Sequence, residues 1–219
     1  MKTEQLGPYN LSWPEGVFPL GGDALALGEF ATVRPRWRVC DLGTGSGVLL
    51  LLLARRAEGL SLTGVELDPL SARTARSNLE RNGLAGEILP ADLRSVPLPA
   101  GAFDLVVSNP PYFSVNAGGS GGPERSEAFC TLEQLCAAAG YLVKNGGRFA
   151  LCHRPERLTD LLCALRVCGL EPKRLQLAAH APDRPPSLVL VEAVRQGRPG
   201  LEVLPTLYRA GPGGREEGA

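Results

Sequence analysis

The stretch Asp41-Leu42-Gly43-Thr44-Gly45-Ser46-Gly47 follows a short apolar run at 38–42 and precedes a leucine-rich helical segment at 48–57. Glycine at alternate positions removes the Cβ atoms that keep other groups at a distance. A strand, this turn and a helix therefore bring main chain close to a ligand. Downstream, strand and helix patterns alternate. A strand is expected over 60–66, then a helix with Asp68 as its cap and Pro69 in its first turn, ending near Asn82-Gly83. Short strands are expected over 87–89 and 103–108, a helix over 126–142, a turn at Asn145-Gly146-Gly147 and a strand over 148–152. A helix over 156–168 is closed by Gly169, and strands over 174–179 and 187–194 have no helix between them. Such a pair must be antiparallel. The sum is an α/β chain with a seven-stranded mixed sheet and helices on both faces.

Residues 1–36 read as an irregular N-terminal arm plus a short helix, because Tyr9, Trp13 and Phe18 stand among Pro8, Pro14 and Pro19 and Asp23 is placed to cap the segment after it. The α/β domain is expected over 37–210 and a flexible tail over 211–219. The glycine-rich segment 114–124 suits either a passive loop or a mobile rim.

Composition excludes little but guides the search. Lys plus Arg equals Asp plus Glu at 23 each, so a polyanionic partner would need a local basic patch. Two candidate patches are Lys144, Arg148, His153, Arg154 and Arg157, and Arg166, Lys173, Arg174 and Arg184. Six cysteines at 40, 130, 136, 152, 163 and 168 lack CxxC spacing, and the only histidines are His153 and His180, which excludes a His-rich metal site and leaves a Cys-rich one as the alternative to the expectation of no metal. Most of these cysteines lie in apolar stretches, and the first 16 residues are polar and proline-broken. Both features point to the cytoplasm, and no apolar run is long enough to suggest a membrane partner.

The side chains around the Gly-rich turn define a ligand. Asp41 stands where it welcomes an ammonium and repels a pyrophosphate. Gly43, Thr44, Gly45 and Gly47 form the cradle, and Glu66, at the end of the second strand, is placed to accept both hydroxyls of a ribose. Asp92 either accepts from an adenine amino group, with Leu67 and Leu93 against the ring, or caps a turn. A cofactor with adenosine at one end and a cationic, amino-acid-like group at the other satisfies Asp41, Glu66 and Asp92 together. S-adenosylmethionine fits better than NAD. After the fourth strand, Ser108-Asn109-Pro110-Pro111-Tyr112 places an amide and a ring on a backbone stiffened by two prolines. Such a corner can hold a planar hydrogen-bonding substrate, or it can be a turn in which Asn109 caps its own backbone.

These three strings, Asp41 to Gly47, Gly64-Val65-Glu66 and Ser108 to Tyr112, resemble the class I S-adenosylmethionine-dependent methyltransferases that act on planar nitrogen. Over residues 18–209 the chain is similar to the bacterial tRNA1(Val) adenine-N6-methyltransferase family, through 18–31, Arg125-Ser126-Glu127, the strings from Gly147 and His153, and Glu171-Pro172-Lys173-Arg174. That family often reads Arg-His-Glu where this chain has Arg125-Ser126-Glu127.

The resemblance implies a Rossmann-like class I methyltransferase fold, S-adenosylmethionine as cofactor, and methylation of the exocyclic N6 of an adenine beside the anticodon of a tRNA. Asn109 and the Pro110 carbonyl would accept from the target amine, and Tyr112 would stack on the base. Glutamine N5 of a protein and guanine N2 of rRNA are alternative acceptors, and a non-catalytic RNA-binding scaffold is the alternative from another class.

Overall fold

The computed structural model describes residues 1–110 and 130–209. The chain opens with a β-hairpin, β1 (Lys2–Leu6) and β2 (Tyr9–Trp13), where an irregular arm was expected. The prolines bound the strands rather than break them. Pro8 sits in the two-residue turn beside Gly7, whose φ of +66° is the conformation such a turn needs, and Pro14 follows the last paired residue. Next comes α1 (Gly22–Phe30). It starts two residues earlier than a helix capped by Asp23 would, with Gly21 at the cap position, so Asp23 lies in the first turn and its carboxylate accepts from Arg209 at 2.5 Å.

The alternating part follows as β3 (Arg38–Leu42), α2 (Val48–Arg56), β4 (Ser61–Glu66), α3 (Pro69–Arg81), β5 (Gly86–Pro90) and β6 (Phe103–Ser108). Asp68 caps α3 as expected, accepting from the Ser71 amide at 2.8 Å. Past the undescribed segment come α4 (Leu132–Leu142), β7 (Val143–His153), α5 (Leu158–Val167), β8 (Leu170–Ala179), β9 (Leu188–Arg195) and β10 (Glu202–Tyr208). The described start of α4 is fixed by a capping box in which Thr131 and Gln134 satisfy each other's main-chain amides. The turn expected at Asn145-Gly146-Gly147 is instead absorbed into β7 as an irregularity in its pairing with β6.

The sheet has eight strands in the order β10-β8-β9-β7-β6-β3-β4-β5, not seven. The addition is β10, which pairs parallel to β8 at the edge, with a register shift around Pro205. Proline is tolerated there because an edge strand can leave one side unpaired. As expected, β8 and β9 are antiparallel, and β9 is also antiparallel to β7.

Helices cover both faces of the sheet. On one face α1, α2, α3 and the hairpin share a core in which Leu49 to Leu53 of α2 are all buried. On the other, α4 and α5 pack over β6, β7 and β9. Two asparagines one turn apart, Asn78 on α3 and Asn82 at its C-terminal cap, hold the hairpin in place. Asn78 accepts from the Ser12 amide at 3.0 Å and donates to the Ser12 and Ser46 carbonyls, each at 2.9 Å. Asn82 repeats the pattern with both main-chain groups of Asn10 at 2.8 Å. A side-chain amide thereby satisfies edge groups of β2 that a further strand would otherwise pair.

A buried carboxylate joins α1 to the sheet. Glu192 of β9 has no exposed surface and accepts from Arg148 at 2.6 Å, the Thr32 amide at 2.7 Å and the Thr32 hydroxyl at 2.9 Å, with Arg174 at 3.4 Å. Arg174 also lies 4.7 Å from the centre of the Phe30 ring. Replacing Glu192 with Ala takes the carboxylate partner from two guanidinium groups and an amide at once. Urea denaturation is expected to show a loss of about 3–5 kcal/mol, with the midpoint falling and the slope unchanged.

Candidate active site

The chain runs from β3 through α2 to β4 and β5 on one side, then returns to place β6 on the other side of β3. Where strand order reverses, connections leave the strand tips in opposite directions and a crevice opens at their carboxyl ends. Asp41, Glu66, Asp92 and Asn109 lie at or just beyond the ends of β3, β4, β5 and β6, all on this edge.

Asp41 is buried. Its Oδ2 accepts from the Thr44 hydroxyl at 2.7 Å, while Oδ1 is enclosed with no hydrogen-bond partner among the described residues. Burial pushes the carboxyl up to about 7; the Thr44 hydrogen bond opposes the rise and the Glu66 charge adds to it. The turn is lashed to the neighbouring strand, with the amides of Gly43 and Thr44 both donating to the Val65 carbonyl at 2.9 and 3.0 Å. Gly43 and Gly45 have φ of +75° and +56°, and a Cβ on either would meet nothing within 4 Å, so the turn faces open space. Thr44 supports this arrangement from within, its hydroxyl spent on Asp41 and its methyl 2.8 Å from where a Cβ on Gly64 would stand.

Glu66 clasps two segments. One oxygen accepts from the Gly45 amide at 2.8 Å and the other from the Asp68 amide at 2.9 Å. Each carboxylate oxygen retains a second acceptor direction, so a diol remains within its capacity. Leu67 beside it is exposed, and Leu93 is half-buried at the margin of the core.

Asp92 was open to two readings, and the geometry is that of a cap. It caps the short 3-10 turn Leu93–Ser95, accepting from the Arg94 amide at 2.9 Å and from the Arg94 guanidinium on both oxygens. The Arg94 contacts hold its carboxyl below the usual carboxylate range. An adenine amino group would have to compete with that guanidinium.

At the tip of β6, the Ser108 hydroxyl donates to the Leu42 carbonyl at 2.7 Å, which ties the Ser108-Asn109 corner to the residue before the glycine turn. The next residue, Asn109, accepts on Oδ1 from the Cys152 thiol of β7 at 3.1 Å. Sequence reasoning missed Ser108, Arg94 and Cys152. Arg94 was detectable as a cation two residues from an acid, whereas the other two are brought in by strand pairing. Pro110 is described; Pro111, Tyr112, the 114–124 segment and Arg125 to Glu127 lie outside the described residues.

The two basic groups do not form two patches at the crevice. Lys144 pairs with Asp104 and Arg148 with Glu192, both toward the far end of β7, while Arg166 pairs with Glu171. Lys173 donates to the Arg198 carbonyl and Arg174 is committed to Glu192, Phe30 and Thr32. The topology places His153, Arg154, Arg157 and Arg184 at the edge that carries Asn109, with Arg157 paired to Asp160 at 2.7 Å. Among the described residues no helix is long and apolar enough to cross a membrane, and no three metal-ligating side chains cluster.

This sheet order, with a glycine turn at the reversal and acidic residues at the neighbouring strand tips, defines a class I methyltransferase. Residues 22–161 match the family model described as methyltransferase small domain, and the chain belongs to that family. It is related to the bacterial tRNA1(Val) (adenine(37)-N6)-methyltransferases. It is 32% identical to the Porphyromonas gingivalis enzyme of that name over 79% of this chain and 73% of the relative. Identity is also 32% to the Dickeya chrysanthemi enzyme, over 84% of this chain and 76% of that one. Among solved structures, a predicted O-methyltransferase from Agrobacterium tumefaciens superposes with a TM-score of 0.69 at 25% identity, covering 85% of this chain and 86% of that one. TrmN from Thermus thermophilus superposes with a TM-score of 0.61 at 26% identity, covering 78% of this chain and 48% of that one.

The donor set suits a sulfonium cofactor. The orphaned Asp41 oxygen calls for a cationic donor, the glycine turn leaves room for a ligand, and Glu66 has acceptor capacity to spare. A linkage follows from Asp41. The unfolded chain ionises this carboxyl near its ordinary value of about 4, whereas the fold retains the proton to about 7, so the unliganded fold loses stability as pH rises across that window. A bound ammonium favours the ionised form and reverses the preference. Calorimetry with S-adenosylhomocysteine should show affinity rising between about pH 6 and 7.5 with proton release, and Asp41→Asn should flatten the dependence while weakening binding about tenfold.

Proposed function

We propose that this enzyme transfers a methyl group from S-adenosylmethionine to the exocyclic N6 of an adenine in tRNA, beside the anticodon, and that it does so in the cytoplasm. The observation that carries the reading is Asn109. An uncharged amide stands at the tip of β6, tied to β3 through Ser108 and next to the crevice of Asp41 and Glu66. The names of the relatives support adenine N6 and tRNA as the acceptor.

In this reading Asp41 and Glu66 hold the ammonium and ribose ends of the cofactor, and the cofactor supplies an electrophilic methyl group on a sulfonium sulfur. The Asn109 side-chain oxygen and the Pro110 carbonyl accept from the two N–H bonds of the target amine. That alignment turns the nitrogen lone pair toward the methyl carbon. As the carbon–nitrogen bond forms and the carbon–sulfur bond breaks, the nitrogen becomes acidic and its proton passes to solvent. A strong base is not needed beforehand, so positioning carries the rate. An unstacked loop base is the least costly to draw into such a corner.

The direct test incubates the protein with labelled S-adenosylmethionine and, separately, tRNA from cells lacking this activity, rRNA and a protein extract, then maps the methylated nucleoside or residue. Label is expected as N6-methyladenosine in tRNA; label at guanine N2 or glutamine N5 would replace this assignment. Asn109→Ala should lower kcat by about 100-fold or more while leaving cofactor affinity unchanged in calorimetry. Turnover near the wild-type rate would remove Asn109 from the reaction.

A further inference from the structure

We infer that Cys152 is a positioning residue for methyl transfer, fixing which end of the Asn109 amide faces the acceptor. The inference rests on the reading of Asn109 as the group that receives the target amine. A side-chain amide is nearly symmetrical in shape but opposite in chemistry at its two ends. Turned one way it offers an acceptor oxygen, turned the other an NH2 that repels the N–H bonds of an incoming amine. Something must choose between them before the substrate arrives.

The Cys152 thiol makes that choice. Pairing of Ser108 with Leu151 sets β7 beside β6 so that residue 152 flanks residue 109, and the thiol lies 3.1 Å from Asn109 Oδ1. Cys152 is fully buried, so water does not compete for its proton. A thiol donates, and sulfur accepts only weakly, so it favours the oxygen end over the NH2 end. A carbonyl oxygen has two lone pairs, so one thiol hydrogen bond does not exhaust the acceptor capacity of Oδ1. The Ser108 hydroxyl holds the backbone of the same corner through Leu42, so main chain and side chain are fixed from two neighbouring strands. Nothing in this arrangement requires the thiol to ionise or react.

The test compares Cys152→Ala, Cys152→Val and Cys152→Ser in the full-length protein. Ala and Val remove the donor, with Val keeping the volume in case Ala does not fold; Ser restores a donor of similar size. The folded variants without a donor are expected to show kcat reduced about three- to tenfold with an unchanged KM for S-adenosylmethionine, and Cys152→Ser should recover most of the loss. The Asn109 side-chain amide resonances, assigned from their loss in Asn109→Ala, should shift and broaden in Cys152→Val and return toward wild type in Cys152→Ser.

A folded Cys152→Val with wild-type kcat and unchanged amide resonances overturns the inference. So does a Cys152→Ser variant as impaired and as shifted as Cys152→Val. The amide comparison needs no substrate, so a wild-type enzyme that fails to methylate tRNA would remove the tRNA assignment and still leave the role of Cys152 decided.

Discussion

The constraint on which the rest depends is the reversal of strand order at β3. A parallel sheet built outward in one direction would bury its strand tips under successive connections. By sending β4 and β5 one way and β6 the other, the chain leaves the β3 tip uncovered on both sides. A polar group placed there is enclosed by strands yet lacks the neighbours that would satisfy it. Asp41 occupies that place, with one oxygen on Thr44 and the other orphaned. The surrounding fold must hold that unfavourable carboxylate in position. It does so with an all-leucine stretch of α2, two hydrogen bonds from main-chain amides of the turn to the Val65 carbonyl, and the Glu66 clasp on Gly45 and Asp68. Much of the packing beneath the crevice therefore serves to keep an unsatisfied charge site open.

Most of this framework was legible because its signals are local. The strands β3 to β9 and the cap of α3 follow from apolar runs, glycine punctuation and an Asp-Pro pair, all within a few residues of what they specify. The errors arose where a local rule met a tertiary exemption. Proline argued against strands in the N-terminal arm, yet Pro8 stands in a hairpin turn, so β1 and β2 went unseen; β10, with Pro205 at the sheet edge, was not anticipated either. Asp23 had the right chemistry for a cap but lies one residue inside the helix, where Arg209, far along the chain, engages it. At the site, Asp41, Glu66 and Asn109 were legible as polar residues at strand ends. Ser108 and Cys152 were not, because their partners lie 66 and 43 residues away and only strand order brings them together.

Charge was the least legible property, for a related reason. Sequence proximity grouped nine cationic or histidine positions into two patches, but a strand carries its residues from one edge of the sheet to the other. Lys144 and His153 belong to the same strand and stand at opposite ends of it. Internal acids then remove several candidates. Glu192 alone engages Arg148 and Arg174, one of which came from each expected patch. Those arginines join α1 to the sheet; they are structural cations, and their number says nothing about a polyanion.

The crevice divides its two chemistries between neighbouring strands. On β3 and β4 the groups are carboxylates, suited to a cationic ligand, and Asp41 changes charge around neutral pH. On β6 and β7 they are an amide and a thiol paired to each other and a hydroxyl that donates to the Leu42 carbonyl, all of them uncharged groups. An exocyclic amine, the acceptor proposed above, is neutral across the same range, so under that proposal its approach to Asn109 would not depend on its own ionisation. Under the same proposal, the division would let the carboxylate side respond to protons and to a positively charged ligand while the uncharged side keeps its hydrogen bonds. A carboxylate at position 109 would break that separation: it would add a third acid beside Asp41 and Glu66 and raise the Asp41 pKa further. The enzyme would then hold its cofactor most weakly at the pH where the acceptor group was ready. An uncharged corner, fixed by hydrogen bonds rather than by ion pairs, lets Asp41 ionise when the cofactor arrives.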